Sequence, residues 1–454
     1  MRTVFNLNYK WTFSKQDTQI PTEIDPKWDF VNLPHSWNAI DGQDGGNDYF
    51  RGTAYYAKDI KKYDLPTSEK YYLEINGANS SAEVYWNGQK LASHDGGYST
   101  WRVDVTDHMK EENLLVIAVD NAANDRVYPQ VADFTFYGGL YRDVNLVCVN
   151  NAHFDLDYFG GKGLKVTPVM DGDNANVDVE VWLTNAKLGQ SLRFTVKEAD
   201  GSVHSVHETT DTKLNFVIEN AHRWHGTKDP YLYTLEAELL EDGKVLDNVS
   251  TRFGCRSFVI DPDKGFILNG EEYPLRGVSR HQDRWGLGNA LLPEHHEEDI
   301  QYILEVGCTT IRLAHYQHDQ YFYDLCDEKG LVIWAEIPYI SNHMPTGREN
   351  TISQMKELIV QNYNHPCICT WGVSNEITIS RSGRNDSCCA GSLYRYRKAR
   401  SVHCAAAAYI PSCSRTASYP WLQIQGDRQD PGYDHRQCPE DRSAGSSQIG
   451  KNLY

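Results

Sequence analysis

Four apolar stretches of this chain run into residues that can do chemistry. Leu275–Ser279 leads to His281, Thr309–Ala314 to His315, Leu331–Ala335 to Glu336, and Cys367–Val373 to Asn375 and Glu376. A carboxylate just past an apolar strand is costly unless it points into a polar cleft. Two carboxylates in such a cleft, with aromatics around them, suit glycoside hydrolysis: one protonates the leaving oxygen while the other attacks or activates water. Glu336 and Glu376 form the simplest pair. On neighbouring strands they would stand about 5 to 9 Å apart, which spans both the retaining and the inverting geometries. The plainer readings are a helix cap or loop acid for Glu376 and hydrogen-bonded structural histidines for His281 and His315. His295-His296-Glu297-Glu298 has ligand types, but consecutive residues in a first helical turn diverge, so it reads as a solvated helix start. Cys367 and Cys369, two apart in an apolar run, face one side of a strand and read as buried thiols.

The elements that must hold these groups alternate between two periods. After Leu275–Ser279 a helix opens at Pro293, buries Ile300, Ile303 and Leu304, and stops at Gly307. Thr309–Ala314 is followed by a helix capped by Asp319, with Tyr321, Phe322 and Leu325 on one face and Gly330 at its end. Leu331–Ala335 precedes Thr351-Ile352-Ser353-Gln354, a capping box ahead of Met355, Leu358, Ile359 and Asn362. Strand and helix alternating at roughly 30-residue spacing predict parallel β-structure with crossover helices, most simply half of a (β/α)8 barrel, whose active sites lie at the carboxyl ends of the strands. A whole barrel takes about 250 residues, and Gly265 to Ser380 supplies 116. The segment 259–380 is therefore expected to be an incomplete TIM barrel with open strand edges and a tendency to aggregate.

Upstream the periods are those of β-structure. Residues 1–150 hold short alternating segments such as Tyr71–Ile75, Leu114–Val119 and Ala82–Trp86, the last followed by the hairpin signal Asn87-Gly88. They predict a jelly-roll β-sandwich. Residues 151–258 predict an immunoglobulin-like β-sandwich, with strands near Val177–Leu183, Leu192–Val196 and Tyr231–Leu239.

Composition narrows the classes further. The 454 residues carry 44 Lys+Arg against 62 Asp+Glu, a formal charge of -18, which argues against nucleic acid as a partner. No apolar run is long enough to span a bilayer and the start has no secretory pattern, so the expected setting is cytoplasmic, with no membrane. Residues 381–454 differ in kind: 11 basic against 6 acidic residues, five of the 11 cysteines, and no sustained period. A shifted reading frame or misjoined coding segment near residue 380 is expected, leaving this tail out of frame or disordered.

The motifs themselves are familiar. Thr310-Ile311-Arg312-Leu313-Ala314-His315-Tyr316, continuing to Gly330-Leu331-Val332-Ile333-Trp334, resembles the first signature of glycoside hydrolase family 2. Asn364-His365-Pro366 through Trp371-Gly372-Val373-Ser374-Asn375-Glu376 resembles its acid/base signature. Arg276–Arg284 and Asp133–Val144 are similar to its β-galactosidase members. The resemblance covers residues 1 to about 380. It implies a sugar-binding first domain and a retaining barrel enzyme acting on a β-galactoside carbohydrate substrate, with Glu376 as acid/base, which requires a raised pKa. It further implies Asn375 on the sugar 2-OH, His281 and His315 on the glycone, and Asp133 lent by the first domain. Family use of magnesium, sometimes with sodium, makes Glu336 the nearest candidate ligand. The family nucleophile, a glutamate at the end of the seventh strand, has no counterpart, so little or no turnover is expected of the chain as written. The alternatives are a non-catalytic carbohydrate-binding fragment, or a β-glucuronidase or β-mannosidase of the same family. Homo-oligomerisation is left open.

Overall fold

A computed structural model describes residues 1–15, 19–43 and 48–378; the expectations for residues 381–454 fall outside them. The first domain is two packed antiparallel sheets. One has the order Thr3–Asn6, Val144–Val149, Lys70–Ile75, Trp101–Asp104; the other runs Asp29–Val31, Trp11–Ser14, Thr53–Lys61, Glu112–Asp120, Ser81–Trp86, Gln89–Asp95. Alternation explains the layers: in Ser81–Trp86 the residues Ala82, Val84 and Trp86 are buried and join Trp11, Tyr56, Leu73, Ile117 and Leu146 in one core. The hairpin after Trp86 turns at Asn87 and Gly88, both with positive φ, the paired left-handed geometry that matches strand twist.

The second domain packs three strands (Leu164–Asp171, Asn174–Val181, Lys213–Ile218) on four (Val203–Thr209, Ser191–Lys197, Tyr233–Glu241, Lys244–Phe253). Val177, Val179, Phe194, Leu235 and Phe253 fill the space between them. Seven strands in two antiparallel sheets are the expected immunoglobulin-like sandwich.

The third domain holds four parallel strands paired in sequence order: Gly277–Arg280, Thr310–Leu313, Val332–Glu336 and Ile368–Gly372. Helices Pro293–Glu305, Gln320–Lys329 and Arg348–Asn362 connect them. This is part of a TIM barrel. Ile311, Leu313, Ile333 and Ala335 point outward against Ile300, Ile303, Phe322, Leu325 and Leu358 of the helices. The other strand face carries Arg312, Trp334 and Glu336, and it is open enough that Trp334 is 39% exposed. Among the described residues the first strand pairs only with the second, leaving the free edge expected of an incomplete barrel.

Asp319 caps the second helix by accepting from the Tyr321 N–H, and Gly330 ends it in the left-handed region. The third helix departs from expectation. It starts at Arg348 after the turn Pro345–Gly347, and Thr351 lies inside it, its hydroxyl donating back to the Gly347 carbonyl at 2.9 Å. Thr351 is the fourth residue of that helix and so does not stand at its N-cap, and the capping-box reading of Thr351 is corrected. The short parallel pair Ile340–Asn342 with Asn375–Thr378 had no periodic signal, because each strand is only three or four residues long. Among the described residues no helix is long and apolar enough to cross a membrane.

Gly330 also locks the second domain onto the barrel. Its φ is 71°, and a Cβ there would lie 2.0 Å from the carbonyl oxygen of Gly226. Gly330→Ala is expected to lower stability by at least about 2 kcal/mol, combining the left-handed penalty with a backbone clash. Urea denaturation checks this; a change below about 0.5 kcal/mol contradicts the packing described.

Candidate active site

At the carboxyl ends of the second and third barrel strands lies a buried polar network. Glu336 is 3% exposed. Its Oε1 accepts from Arg312 Nε at 2.6 Å and its Oε2 from Arg312 Nη2 at 3.2 Å, a two-pronged pairing that suits the planar guanidinium. His315 Nδ1 lies 2.9 Å from Glu336 Oε2 and 3.1 Å from Arg312 Nη2. The same Nη2 donates to Asn375 Oδ1 at 2.7 Å. One cation thus ties together the ends of three successive strands, and Asn375 presents its carbonyl inward to it.

His281 stands beside this network, its ring 5.2 Å from that of His315 and its Nδ1 3.4 Å from the Tyr316 hydroxyl. Burial, and then the neighbouring His315, hold the His281 imidazole below its usual range, while the charges of Asp283 and Asp133 oppose the shift. Phe134 of the first domain covers both histidines, with centroids 4.9 Å from His281 and 6.0 Å from His315. Asp133, next to it, is exposed, and so is Glu376. Glu376 has φ 49°, a conformation that a β-carbon disfavours and that neighbours must impose.

Behind the strands a second cation is locked in place. Arg280 donates to Asp299 at 2.9 and 2.6 Å and lies over the Phe322 ring at 3.9 Å. Its remaining donors reach His318 Nδ1 at 3.0 Å and His296 Nδ1 at 3.1 Å. A nitrogen that accepts from a guanidinium is unprotonated, so both rings are neutral. Burial pushes both far below the ordinary imidazole range, and Arg280 adds to it. His318 Nε2 then donates to the Ala314 carbonyl at 3.2 Å, holding the residue that precedes His315.

The structure therefore brings His281, His315, Glu336 and Asn375 together, with Phe134 presenting Asp133 beside His281. Glu336 as a metal ligand is corrected: both of its oxygens are engaged by Arg312 and His315, and a magnesium or sodium ion there would face a guanidinium. The residues do not fit a metal centre at that position. The one group of metal-ligand types that converges among the described residues is Asp327, His365 and Cys367. Its polar atoms satisfy one another: His365 Nδ1 is 2.6 Å from Asp327 Oδ2, and the Cys367 N–H donates to Asp327 Oδ1 at 3.0 Å. Burial raises the Cys367 thiol, consistent with a core thiol. The residue sequence reasoning passed over is Arg312. Its signal was there, since an arginine inside an apolar strand needs a carboxylate partner.

Two sandwiches leading into a parallel barrel, with histidines, a buried carboxylate and Asn-Glu at its strand ends, define a carbohydrate-active barrel enzyme class. The chain matches three family descriptions: "Glycosyl hydrolase 2 galactose-binding domain-like" over residues 49–135, "Glycosyl hydrolases family 2" over 162–256, and "Glycosyl hydrolases family 2, TIM barrel domain" over 260–419. It belongs to glycoside hydrolase family 2. It is 37% identical over 393 residues to a beta-glucuronidase of Bacteroides fragilis, covering 82% of this chain and 56% of that protein. It is 28% identical over 389 residues to a beta-galactosidase of Thermoanaerobacter pseudethanolicus, covering 82% and 51%. Among solved structures, the FMN-binding beta-glucuronidase from Facaelibacterium prausnitzii superposes with TM-score 0.79 at 42% identity, covering 84% of this chain and 60% of that one. The chain thus spans little more than half the length of these relatives.

Two outcomes follow from the site. Arg312→Met leaves the Glu336 carboxylate buried without its cation and is expected to cost about 3 kcal/mol in chemical denaturation; a loss under about 1 kcal/mol contradicts the pairing. His281, His296 and His318 are depressed in the fold, so the unfolded chain takes up protons first. Their stabilisation is present above the ordinary histidine pKa of 6.5 and is lost as pH falls below it. Of the three, His296 and His318 lie far enough below it to contribute up to about 1.4 kcal/mol per pH unit each as pH falls from 6.5 to 5; a urea midpoint that does not move over that range contradicts it.

Proposed function

We propose that this chain carries the acid/base half of a retaining β-glucuronidase. The observation that supports it best is the Asn375-Glu376 pair at the end of the fourth barrel strand, with Asn375 Oδ1 held by Arg312 at 2.7 Å. With its carbonyl occupied, the Asn375 amide nitrogen is the atom left to donate to a sugar hydroxyl. In this reading that hydroxyl is the 2-OH, and the contact strengthens as the oxocarbenium-like transition state develops.

Glu376 gives its proton to the glycosidic oxygen as the bond to the anomeric carbon breaks, then takes one from the water that releases the sugar. His281 and His315, shielded by Phe134, line the glycone side, with Asp133 at its rim. The nucleophile that retention requires belongs, by the family pattern, to a later strand. Glu336 does not replace it, since its carboxylate is neutralised by Arg312.

The choice of sugar changes from the galactoside expected on motif resemblance. Support for a glucuronide comes from identities of 37% and 42% to the two beta-glucuronidases against 28% to the beta-galactosidase. The test is hydrolysis of 4-nitrophenyl β-D-glucuronide and β-D-galactoside by the purified chain. At whatever absolute rate it sustains, kcat/KM is expected to favour the glucuronide at least about tenfold, and Glu376→Gln to lower kcat about 100-fold or more. A preference for galactoside overturns the sugar assignment, and full activity in Glu376→Gln overturns the acid/base role.

A further inference from the structure

We propose that Tyr128, on the first domain, is a positioning residue for the strand that carries Asn375 and Glu376. The side chain is 2% exposed, although it lies on a loop of the sandwich. It is buried by the barrel. Its ring meets that of Tyr339 edge-on at 5.0 Å and 77°, and its hydroxyl accepts from the Met344 N–H. Gly347 passes so close that a Cβ there would lie 2.6 Å from Tyr128 Cε2. Adjoining bonds tie the same loops: the Tyr128 N–H donates to Asn350 Oδ1 at 3.4 Å, and Asn350 Nδ2 donates to the Asp95 carbonyl at 2.8 Å. The first domain thereby grips residues 339–350, the segment after the third barrel strand.

That segment is what holds the acid/base strand. The Asn375 N–H donates to the Tyr339 carbonyl at 2.9 Å, and Ile340 pairs with Asn375 and Asn342 with Thr378 in parallel register. The next residue, Glu376, sits at φ 49°. A glutamate does not choose the left-handed region unaided; the pairing with 340–342 must over-determine it. A two-strand, three-residue ribbon is marginal alone, so its geometry depends on what braces residues 339–347 from behind. Tyr128 is that brace. The path runs from the Tyr128 ring and hydroxyl through Tyr339 and Met344 to the ribbon, and from the ribbon to the Asn375-Glu376 backbone.

Tyr128→Phe tests this, since it removes the hydroxyl and keeps the ring. Amide hydrogen exchange on the full chain is expected to quicken about tenfold or more in residues 339–346 and in 375–378, with no change in Val332–Glu336 or Ile368–Gly372. Gly347→Ala, which crowds the same ring at an ordinary backbone conformation, is expected to give the same pattern. Exchange that quickens only at Met344, or that rises equally in the barrel strands, overturns the proposal. This arm decides the matter without catalysis.

A second arm rests on the acid/base reading of Glu376. A misplaced acid penalises poor leaving groups and spares good ones. Tyr128→Phe is expected to lower kcat/KM about tenfold on phenyl β-D-glucuronide and less than about twofold on the 2,4-dinitrophenyl glucuronide. Equal losses on both overturn the positioning role. If Glu376→Gln itself lowers both equally, the acid assignment of Glu376 fails instead, and the exchange result stands on its own.

Discussion

Glu336 sits at the end of an apolar strand, almost wholly removed from water, and its charge has to be met there. Arg312 meets it from the neighbouring strand with two donors, and this pairing sets much else. The guanidinium can engage Glu336 in this way only if the second and third strands keep the register in which Arg312 lies beside Trp334. The same Nη2 that reaches Glu336 also donates to Asn375, so the fourth strand's exit is aligned to the same cation. An unpaired carboxylate in this place would cost several kcal/mol, which makes the arrangement a constraint on any path the chain takes through the strand ends.

The first domain completes the site. Arg142 reaches from the sandwich to the Gln317 carbonyl at 2.9 Å and to Asp319 at 3.5 Å, close to the start of the second helix. Tyr98 stacks on Tyr316 at 4.3 Å, beneath the histidine pair that Phe134 covers. Asp133 and Phe134 thus reach the barrel mouth on a support made of buried rings and one buried arginine. Phe134 shields His281 and His315 from water, and burial is the first cause that holds the His281 imidazole below its usual range.

The elements are largely readable in the residue types themselves. Asn87-Gly88 announced its hairpin, Pro293 and Gly307 bounded a helix, and Asp319 and Gly330 bounded another, because capping and left-handed turns are local chemistry written in single residues. Thr351 misled because the Thr-x-x-Gln spacing also fits a helix interior, and the helix begins a turn earlier, at Arg348 after the turn Pro345–Gly347. The short ribbon 340–342 with 375–378 left no trace in periodicity.

Residue order alone determined the three-part architecture and the set of polar groups at the strand ends, because hydrophobic period and turn residues act over a few positions. Tertiary structure decided how those groups are used. Glu336 became the partner of Arg312, and Asn375 acquired a fixed carbonyl. Phe134 arrived over His281 from nearly 150 positions away, and Tyr128 came to stand behind the acid/base strand. Such pairings depend on distance in space between segments far apart in the chain, and the local chemistry of either segment carries no record of its partner.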